Sequence, residues 1–151
     1  MGMDVFGNNP SSKTGAYFRN NVWWWRPLWV YCCHVAPILT RDVVYGQSND
    51  GDGLGAAGSR SLAAILNGKI ADGSCERYAK DYETAMSEMA DEECNLCGGT
   101  GKRVDMEARD GCNKCHGVGK LRPSATDYSF STENVQEFAA FLAECGGFRI
   151  C

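Results

Sequence analysis

The amino-acid sequence predicts an α+β protein: an α-rich single domain of about four helices with an inserted zinc ribbon built on four cysteines. Apolar residues recur at helical spacing in a chain of 151 residues that is 44% hydrophobic. A glycine-flanked pair of Cys-x-x-Cys motifs lies between the last two helical segments. The predicted organisation is a first part of the helical core over residues 1–92, a zinc ribbon over 93–122, and a C-terminal helix over 123–151 that completes the core.

The predicted helices have recognisable boundaries. The first begins at Thr14 and is kinked or restarted at Pro27, since proline removes a backbone donor. An apolar stripe from Leu62 to Ile70 marks the next helix, and Ser74 caps the one after it. The last helix starts near Ser131 and ends at two glycines. Short strands are predicted near Val5 and over the last four residues.

The strongest functional signal is a repeat of the pattern C-x-x-C-x-G-x-G, whose copies begin at Cys94 and Cys112. A Cys-x-x-Cys turn directs two thiolates to one side, and two such turns form a tetrahedral cage for Zn²⁺. The glycines let backbone N–H groups approach the sulfurs, where bulkier residues would collide. We therefore predict one structural zinc ion whose closed shell of four ligands is Cys94, Cys97, Cys112 and Cys115.

Other interpretations of these cysteines stay open at this point. They are two disulfides, four unrelated thiols, an iron–sulfur cluster, or a site in which His116 replaces one ligand. The repeated glycines have no role in a disulfide or a free thiol, and a histidine ligand would break the symmetry between the copies. These arguments favour zinc on four cysteines.

The repeat resembles the cysteine-rich zinc module of the DnaJ (Hsp40) chaperone family over residues 94–119. That family carries four such units and two zinc ions, so two units imply one ion here. The chain lacks a His-Pro-Asp tripeptide, and the resemblance therefore does not imply J-domain function. The whole chain is also similar to short, uncharacterised phage and prophage proteins that share its Met-Gly-x-Asp start, Trp-rich segment, paired C-x-x-C region and Glu-Phe-x-x-Phe-Leu helix. This similarity implies a viral accessory protein.

The composition indicates where the protein works. No run approaches the roughly 18 apolar residues of a membrane span, and the N-terminus lacks the regions of a secretory signal. Nine cysteines without such a signal favour free thiols in a reducing compartment. We expect a cytoplasmic protein without membrane contact, in the host-cell cytoplasm if viral. No role is assigned to Cys32, Cys33, Cys75, Cys145 and Cys151.

Tryptophan and basic residues supply candidate partner-binding positions. Successive helical residues differ by about 100°, so three consecutive tryptophans, Trp23 to Trp25, cannot all face one core. Although the whole chain has a net charge of −4, residues 1–41 carry a net charge of +3 and residues 94–122 also carry +3. Burial in an aromatic core is the leading interpretation of the tryptophans, because each carries a large apolar area, and a partner-binding anchor is the alternative. The candidates are Arg19, Trp23, Trp24, Arg26, Lys102, Arg103, Lys114 and Lys120.

No hydrolase motif is present, and two histidines with a closed metal site leave few catalytic candidates, so we predict that the protein is not an enzyme. The leading hypothesis is a phage-encoded binding protein that docks onto a host protein complex and inhibits a defence system, as anti-CRISPR proteins do. The alternatives are a nucleic-acid-binding zinc ribbon and a small-molecule (nucleotide) sponge whose pocket is walled by the glycine-rich loop 46–58.

Overall fold

The structure is a computed structural model that describes residues 2–103 and 111–151. It confirms the predicted α+β class, with helices and two small antiparallel sheets. The chain forms two compact units, which we call the core unit (Met1–Glu83 with Tyr128–Cys151) and the metal unit (Thr84–Asp127).

The core unit holds most of the secondary structure. Its elements in chain order are β1 (Gly2–Gly7), α1 (Lys13–Ala16), β2 (Tyr17–Asn21), α2 (Val22–Val35), α3 (Pro37–Thr40), α4 (Ala56–Ala71) and the first part of α5 (Ser74–Glu88). The metal unit holds the end of α5, β3 (Glu92–Glu93), β4 (Lys120–Leu121) and a 3-10 turn (Ser124–Asp127). The chain then returns to the core unit with α6 (Thr132–Glu144) and β5 (Phe148–Ile150).

A three-stranded antiparallel sheet, in the order β2-β1-β5, forms one side of the core. Met3 and Val5 of β1 are buried, as the two-residue period of a half-buried strand requires. The sequence prediction of strands near Val5 and at the C-terminus is confirmed, since Val5 pairs with Ile150.

The helix predicted to run on from Thr14 is wrong after Ala16, where β2 begins. Val5 of β1 pairs with Phe18 of β2, which is 8% exposed and packs on Phe138 with ring centroids 5.1 Å apart. Apolar residues in this segment fit both a helical and an alternating period. Pairing with β1 supplies the backbone hydrogen bonds and therefore decides the outcome.

α2 runs unbroken through Pro27, although the sequence predicts a kink or a restart there. Pro27 cannot donate to the carbonyl of Trp23, one turn earlier. That carbonyl instead accepts a hydrogen bond from the backbone N–H of Ser129, at 3.0 Å. The oxygen that proline leaves without a helical donor is thus satisfied by a residue from the end of the chain.

Trp25 lies at the centre of the core with no exposed surface. Its ring stacks on Trp29 and meets Phe138 edge to face, with centroids 5.8 and 5.4 Å away. Its indole N–H donates to the carbonyl of Gly46 at 2.8 Å, so the buried polar atom has a partner. A Cβ at Gly46 would lie 2.1 Å from Trp29 Nε1, so only glycine allows the loop this close.

The packing of α1 against the end of α6 provides a stability test. A Cβ at Gly15 would lie 2.2 Å from the carbonyl oxygen of Glu144, whereas a Cβ at Gly68 on α4 would meet open space. Gly15→Ala should lower the free energy of unfolding by about 2 kcal/mol or more, because backbone must move. Gly68→Ala, the control, should raise it by about 0.4–1 kcal/mol.

The measurement is urea unfolding followed by tryptophan fluorescence, since all four tryptophans lie in the core unit. An unchanged transition midpoint for Gly15→Ala would contradict the close packing of α1 on α6.

Candidate metal centre

The four predicted ligands converge in the metal unit. Their sulfur atoms all lie within 4.8 Å of one another. The Sγ atoms of Cys94 and Cys112 are 3.9 Å apart, and those of Cys97 and Cys115 are 3.8 Å apart. A tetrahedral ion with metal–sulfur bonds of about 2.3 Å places its ligands about 3.8 Å apart. The cluster therefore fits a single four-coordinate metal ion.

The two copies of the motif are held together by matching backbone hydrogen bonds. The N–H of Cys94 donates to the carbonyl of Gly119 at 2.9 Å, and the N–H of Cys112 donates to the carbonyl of Gly101 at 2.8 Å. The first cysteine of each copy is thereby tied to the last glycine of the other. Equivalent residues of the two copies therefore make equivalent contacts, so the repeat in the sequence corresponds to a pseudo-twofold arrangement in the structure.

The last glycine of each copy also supports a ligand. The N–H of Gly101 donates to Cys97 Sγ, and the N–H of Gly119 donates to Cys115 Sγ, each at 3.2 Å. Both glycines have positive φ, +69° and +82°. A Cβ on either would lie 2.2 Å from a carbonyl oxygen of the opposite copy, that of Gly117 or Gly99. The predicted N–H approach to the sulfurs therefore exists, and only glycine permits it.

The local environment affects the pKa values of these thiols. Burial opposes ionisation of Cys94, but hydrogen bonds from the backbone N–H groups of Leu96 and Cys97 lower its pKa to about 7. The backbone N–H of Cys115 lowers the pKa of Cys112. Burial raises the pKa of Cys115. Because a metal binds the thiolate, the turns assist ionisation of the leading cysteine of each copy.

The geometry weighs against the other interpretations of the four cysteines. Sulfur separations of 3.8 and 3.9 Å exclude disulfides across the two copies, whose S–S bonds are about 2.05 Å long. All four cysteines are free thiols. His116 lies outside the sulfur cluster, and its side chain is exposed. A tetrahedron of four thiolates suits zinc or iron.

Arg122 has a role that sequence reasoning missed. It follows β4 and donates hydrogen bonds to the carbonyls of Met86 and Met89 at 2.7 and 2.5 Å. It also forms an ion pair with Asp91 at 3.2 Å. Carbonyls in the last turn of α5, such as that of Met86, lack helical donors, and a cation satisfies them together with the carbonyl of Met89 just beyond the helix. Nothing in the local sequence signals this contact, because the partners are more than thirty residues apart.

Two of the partner-binding candidates meet in the core unit. Trp23 is 42% exposed and packs on Tyr128 with ring centroids 4.9 Å apart. Arg26 Nη1 donates to the hydroxyl of Tyr128 at 2.8 Å, and the guanidinium lies 5.6 Å from the ring centroid. We call Trp23, Arg26 and Tyr128 the aromatic–arginine cluster. Sequence reasoning missed Tyr128, because it lies about a hundred residues after Trp23 and Arg26 in the chain.

The other two partner-binding candidates of the core unit, Trp24 and Arg19, have partners outside the aromatic–arginine cluster. Trp24 is half-buried, and its carbonyl accepts a hydrogen bond from Asn134 Nδ2 at 3.4 Å. Arg19 lies on β2 with its side chain 70% exposed and 3.9 Å from Asp4. It lines a shallow surface depression together with Gly2, Asn20 and Asn21.

Two of the basic candidates of the metal unit donate side-chain hydrogen bonds to asparagines of the same unit, and the other two are described by their exposure. Lys114 Nζ donates to Asn95 Oδ1 at 2.7 Å, which links the second copy of the motif to the first. Arg103 Nη1 donates to Asn113 Oδ1 at 3.0 Å. Lys102 and Lys120 are exposed.

The glycine-rich loop is used for close packing against β5. Gly51 N–H donates to the carbonyl of Ile150 at 2.6 Å, and Ile150 N–H donates to the carbonyl of Asp52 at 2.8 Å. A Cβ at Gly53 would lie 2.0 Å from the carbonyl oxygen of Phe148. The loop thus extends the free edge of the sheet.

The five remaining cysteines lie in the core unit. Cys32, Cys75 and Cys145 are fully buried, whereas Cys151 is exposed and Cys33 is half-buried. Burial raises the pKa of both the Cys32 and the Cys75 thiol. Buried thiols of raised pKa are unreactive.

No protein-family description, curated protein or solved structure matches this chain. The metal centre is therefore assigned from its geometry. Within residues 2–103 and 111–151, the four-cysteine cluster is the one group of three or more His, Cys, Asp or Glu side chains placed to hold a metal ion. In the same ranges, no helix combines the length and apolarity needed to cross a bilayer.

The glycine geometry predicts a selective effect on metal affinity. Gly119→Ala should weaken metal binding about 10–100-fold, because it displaces the amide that supports Cys115 Sγ. Gly98→Asn is the matched control: its φ of +58° suits asparagine, and the equivalent residue of the second copy is His116 at +51°. Competition with a chromophoric chelator measures both affinities. Equal losses in the two variants would contradict the assigned role of Gly119.

Proposed function

We propose that Cys94, Cys97, Cys112 and Cys115 bind one structural Zn²⁺ ion and that the protein is a non-enzymatic binding protein. The observation that carries the proposal is the sulfur tetrahedron with its two supporting amides. Four cysteine ligands fill the shell of zinc, so the ion supplies cross-linking rather than an open site for water or substrate. The likeness of residues 94–119 to the DnaJ zinc module supports the same metal.

The composition of the metal unit explains why it needs an ion. Its cluster of buried residues consists of Cys94, Cys112 and Cys115, with Cys97 and Leu121 packed against them. Such a small apolar core contributes little stability, and a structural metal commonly supplies the remainder. The metal unit is therefore proposed to depend on zinc for its fold.

Metal analysis tests the first part of the proposal. Native mass spectrometry of the purified chain should show one zinc, and Cys112→Ser should lose it because three thiolates leave the shell open. Cys151→Ser is the matched control, since Cys151 is an exposed cysteine outside the cluster. Chelation should collapse the amide NMR dispersion of residues 84–127.

Two results would contradict a structural zinc: dispersion that survives complete metal removal, or the visible thiolate–iron absorption of an iron-loaded protein.

We propose further that the protein acts by docking onto another macromolecule through the aromatic–arginine cluster. Tryptophan, tyrosine and arginine are the residues most enriched at interface hot spots, and all three meet here. In its most concrete form, the protein is phage-encoded and inhibits a host defence complex in the host cytoplasm. The resemblance of its Met-Gly-x-Asp start, Trp-rich segment and paired C-x-x-C region to those of phage proteins is the support for that form.

Truncating the cluster tests the docking proposal. Against the partner complex captured from host lysate, Trp23→Ala or Arg26→Ala should weaken binding about 30-fold or more, as for hot-spot residues. Arg149→Ala is the control, because Arg149 lies over Phe6 at 5.6 Å in the same Arg–aromatic arrangement elsewhere on the core unit. Biolayer interferometry gives the affinities. Equal affinity of the wild type and the Arg26→Ala variant would refute this docking site.

The exposed lysines of the metal unit favour a second candidate, a nucleic-acid-binding zinc ribbon. Lys102 and Lys120 are exposed on a segment of net charge +3. Filter binding of single-stranded DNA at several salt concentrations separates the candidates. Charge reversal at Lys102, Arg103 and Lys120 would weaken DNA binding and reduce its salt dependence, whereas Arg26→Ala would leave it unchanged.

A further inference from the structure

Three of the most exposed apolar side chains of the described residues are concentrated in one turn. Ile38 is 79% exposed, Val44 is 76% exposed and Tyr45 is 59% exposed. All three fall within residues 38–45, which comprise the end of α3 and the turn that follows it and which we call the 38–45 turn. Single exposed apolar residues are ordinary, but several grouped together indicate an interaction surface.

The turn presents these side chains on a well-anchored backbone. Thr40 is buried and its hydroxyl donates to the carbonyl of Ala36 at 3.0 Å. Val43 is 7% exposed and its N–H donates to the carbonyl of Thr40 at 3.1 Å. The N–H of Tyr45 donates to Asp52 Oδ2 at 2.8 Å. Because the backbone is already ordered, a partner would not have to immobilise it, which lowers the entropy cost of binding.

The charges of the turn indicate which partner fits. Arg41 and Asp42 lie between the apolar residues, with Arg41 Nε 3.3 Å from Asp42 Oδ1 and side chains 71% and 83% exposed. A pair this exposed contributes little to a monomer. A purely acidic or purely basic partner would place a like charge against one member of the pair. A surface that carries the same two charges in reverse order satisfies both.

A second copy of the chain is such a surface. In an isologous twofold interface, if residue i of one copy contacts residue j of the other, then j also contacts i. We propose that the 38–45 turn is a homodimer interface. The apolar side chains of Ile38, Val44 and Tyr45 bury one another across the twofold axis, and Arg41 of each copy pairs with Asp42 of the other.

A charge-exchange experiment tests the twofold pairing. Arg41→Asp sets two carboxylates against each other in its homodimer, and Asp42→Arg sets two guanidinium groups against each other, so each variant alone should dimerise about tenfold more weakly or worse. A mixture of the two variants should recover the wild-type dissociation constant. In that heterodimer one contact joins the two substituted positions, which now carry opposite charges, and the other contact joins the two native residues. Sedimentation velocity over a concentration series measures the dissociation constants of each variant alone and of the mixture.

Controls separate this interface from general effects. Arg60→Asp makes the same charge change on α4, where Arg60 is exposed, and should leave the dimer unaffected. Ile38→Asp should yield a monomer whose tryptophan fluorescence matches the wild type, because a carboxylate would be buried at the interface. A wild-type protein that is monomeric at millimolar concentration, or a mixture that associates no better than either variant alone, would overturn the proposal.

Discussion

The convergence of four sulfur atoms within 4.8 Å is the constraint on which the metal unit depends. Each Cys-x-x-Cys turn brings two thiolates to one side, and the two turns must then face each other without backbone collision. Gly101 and Gly119 allow this approach, since each passes within contact distance of a carbonyl in the opposite copy. The same residues donate the N–H groups that support the second thiolate of each pair. Hydrogen-bond support of the sulfur atoms and close backbone packing are therefore provided by the same glycines.

A different constraint organises the surface of the core unit. Pro27 leaves the carbonyl of Trp23 without its helical donor, and Ser129 N–H takes that place. This hydrogen bond holds the neighbouring Tyr128 beside the exposed ring of Trp23 and within reach of Arg26, one turn further along α2. A position that would ordinarily weaken a helix thereby contributes to the placement of the aromatic–arginine cluster.

The two candidate surfaces of the core unit differ in chemistry. The aromatic–arginine cluster is partly satisfied by its own contacts, since Tyr128 already engages both Trp23 and Arg26. The 38–45 turn has apolar side chains directed into solvent around a pair of opposite charges. The first is suited to a partner that presents its own apolar and acidic groups, and the second is suited to a copy of itself. Self-association would leave the aromatic–arginine cluster's own contacts intact.

The sequence by itself determined those features that depend only on residues close together in the chain. The convergence of the four cysteines was predictable because thiolates at Cys-x-x-Cys spacing, followed by glycines, have few uses other than metal binding. The exposure of at least one of three consecutive tryptophans followed from helical geometry, and Trp23 is that residue. Strand β2 was not predictable, because its apolar spacing fits two periods and only β1 selects one. Only the tertiary structure decided the roles of Tyr128, Ser129 and Arg122, because each contacts residues far away in the chain. Those roles exist only once folding brings to them a carbonyl or a ring that has no partner in its own local sequence.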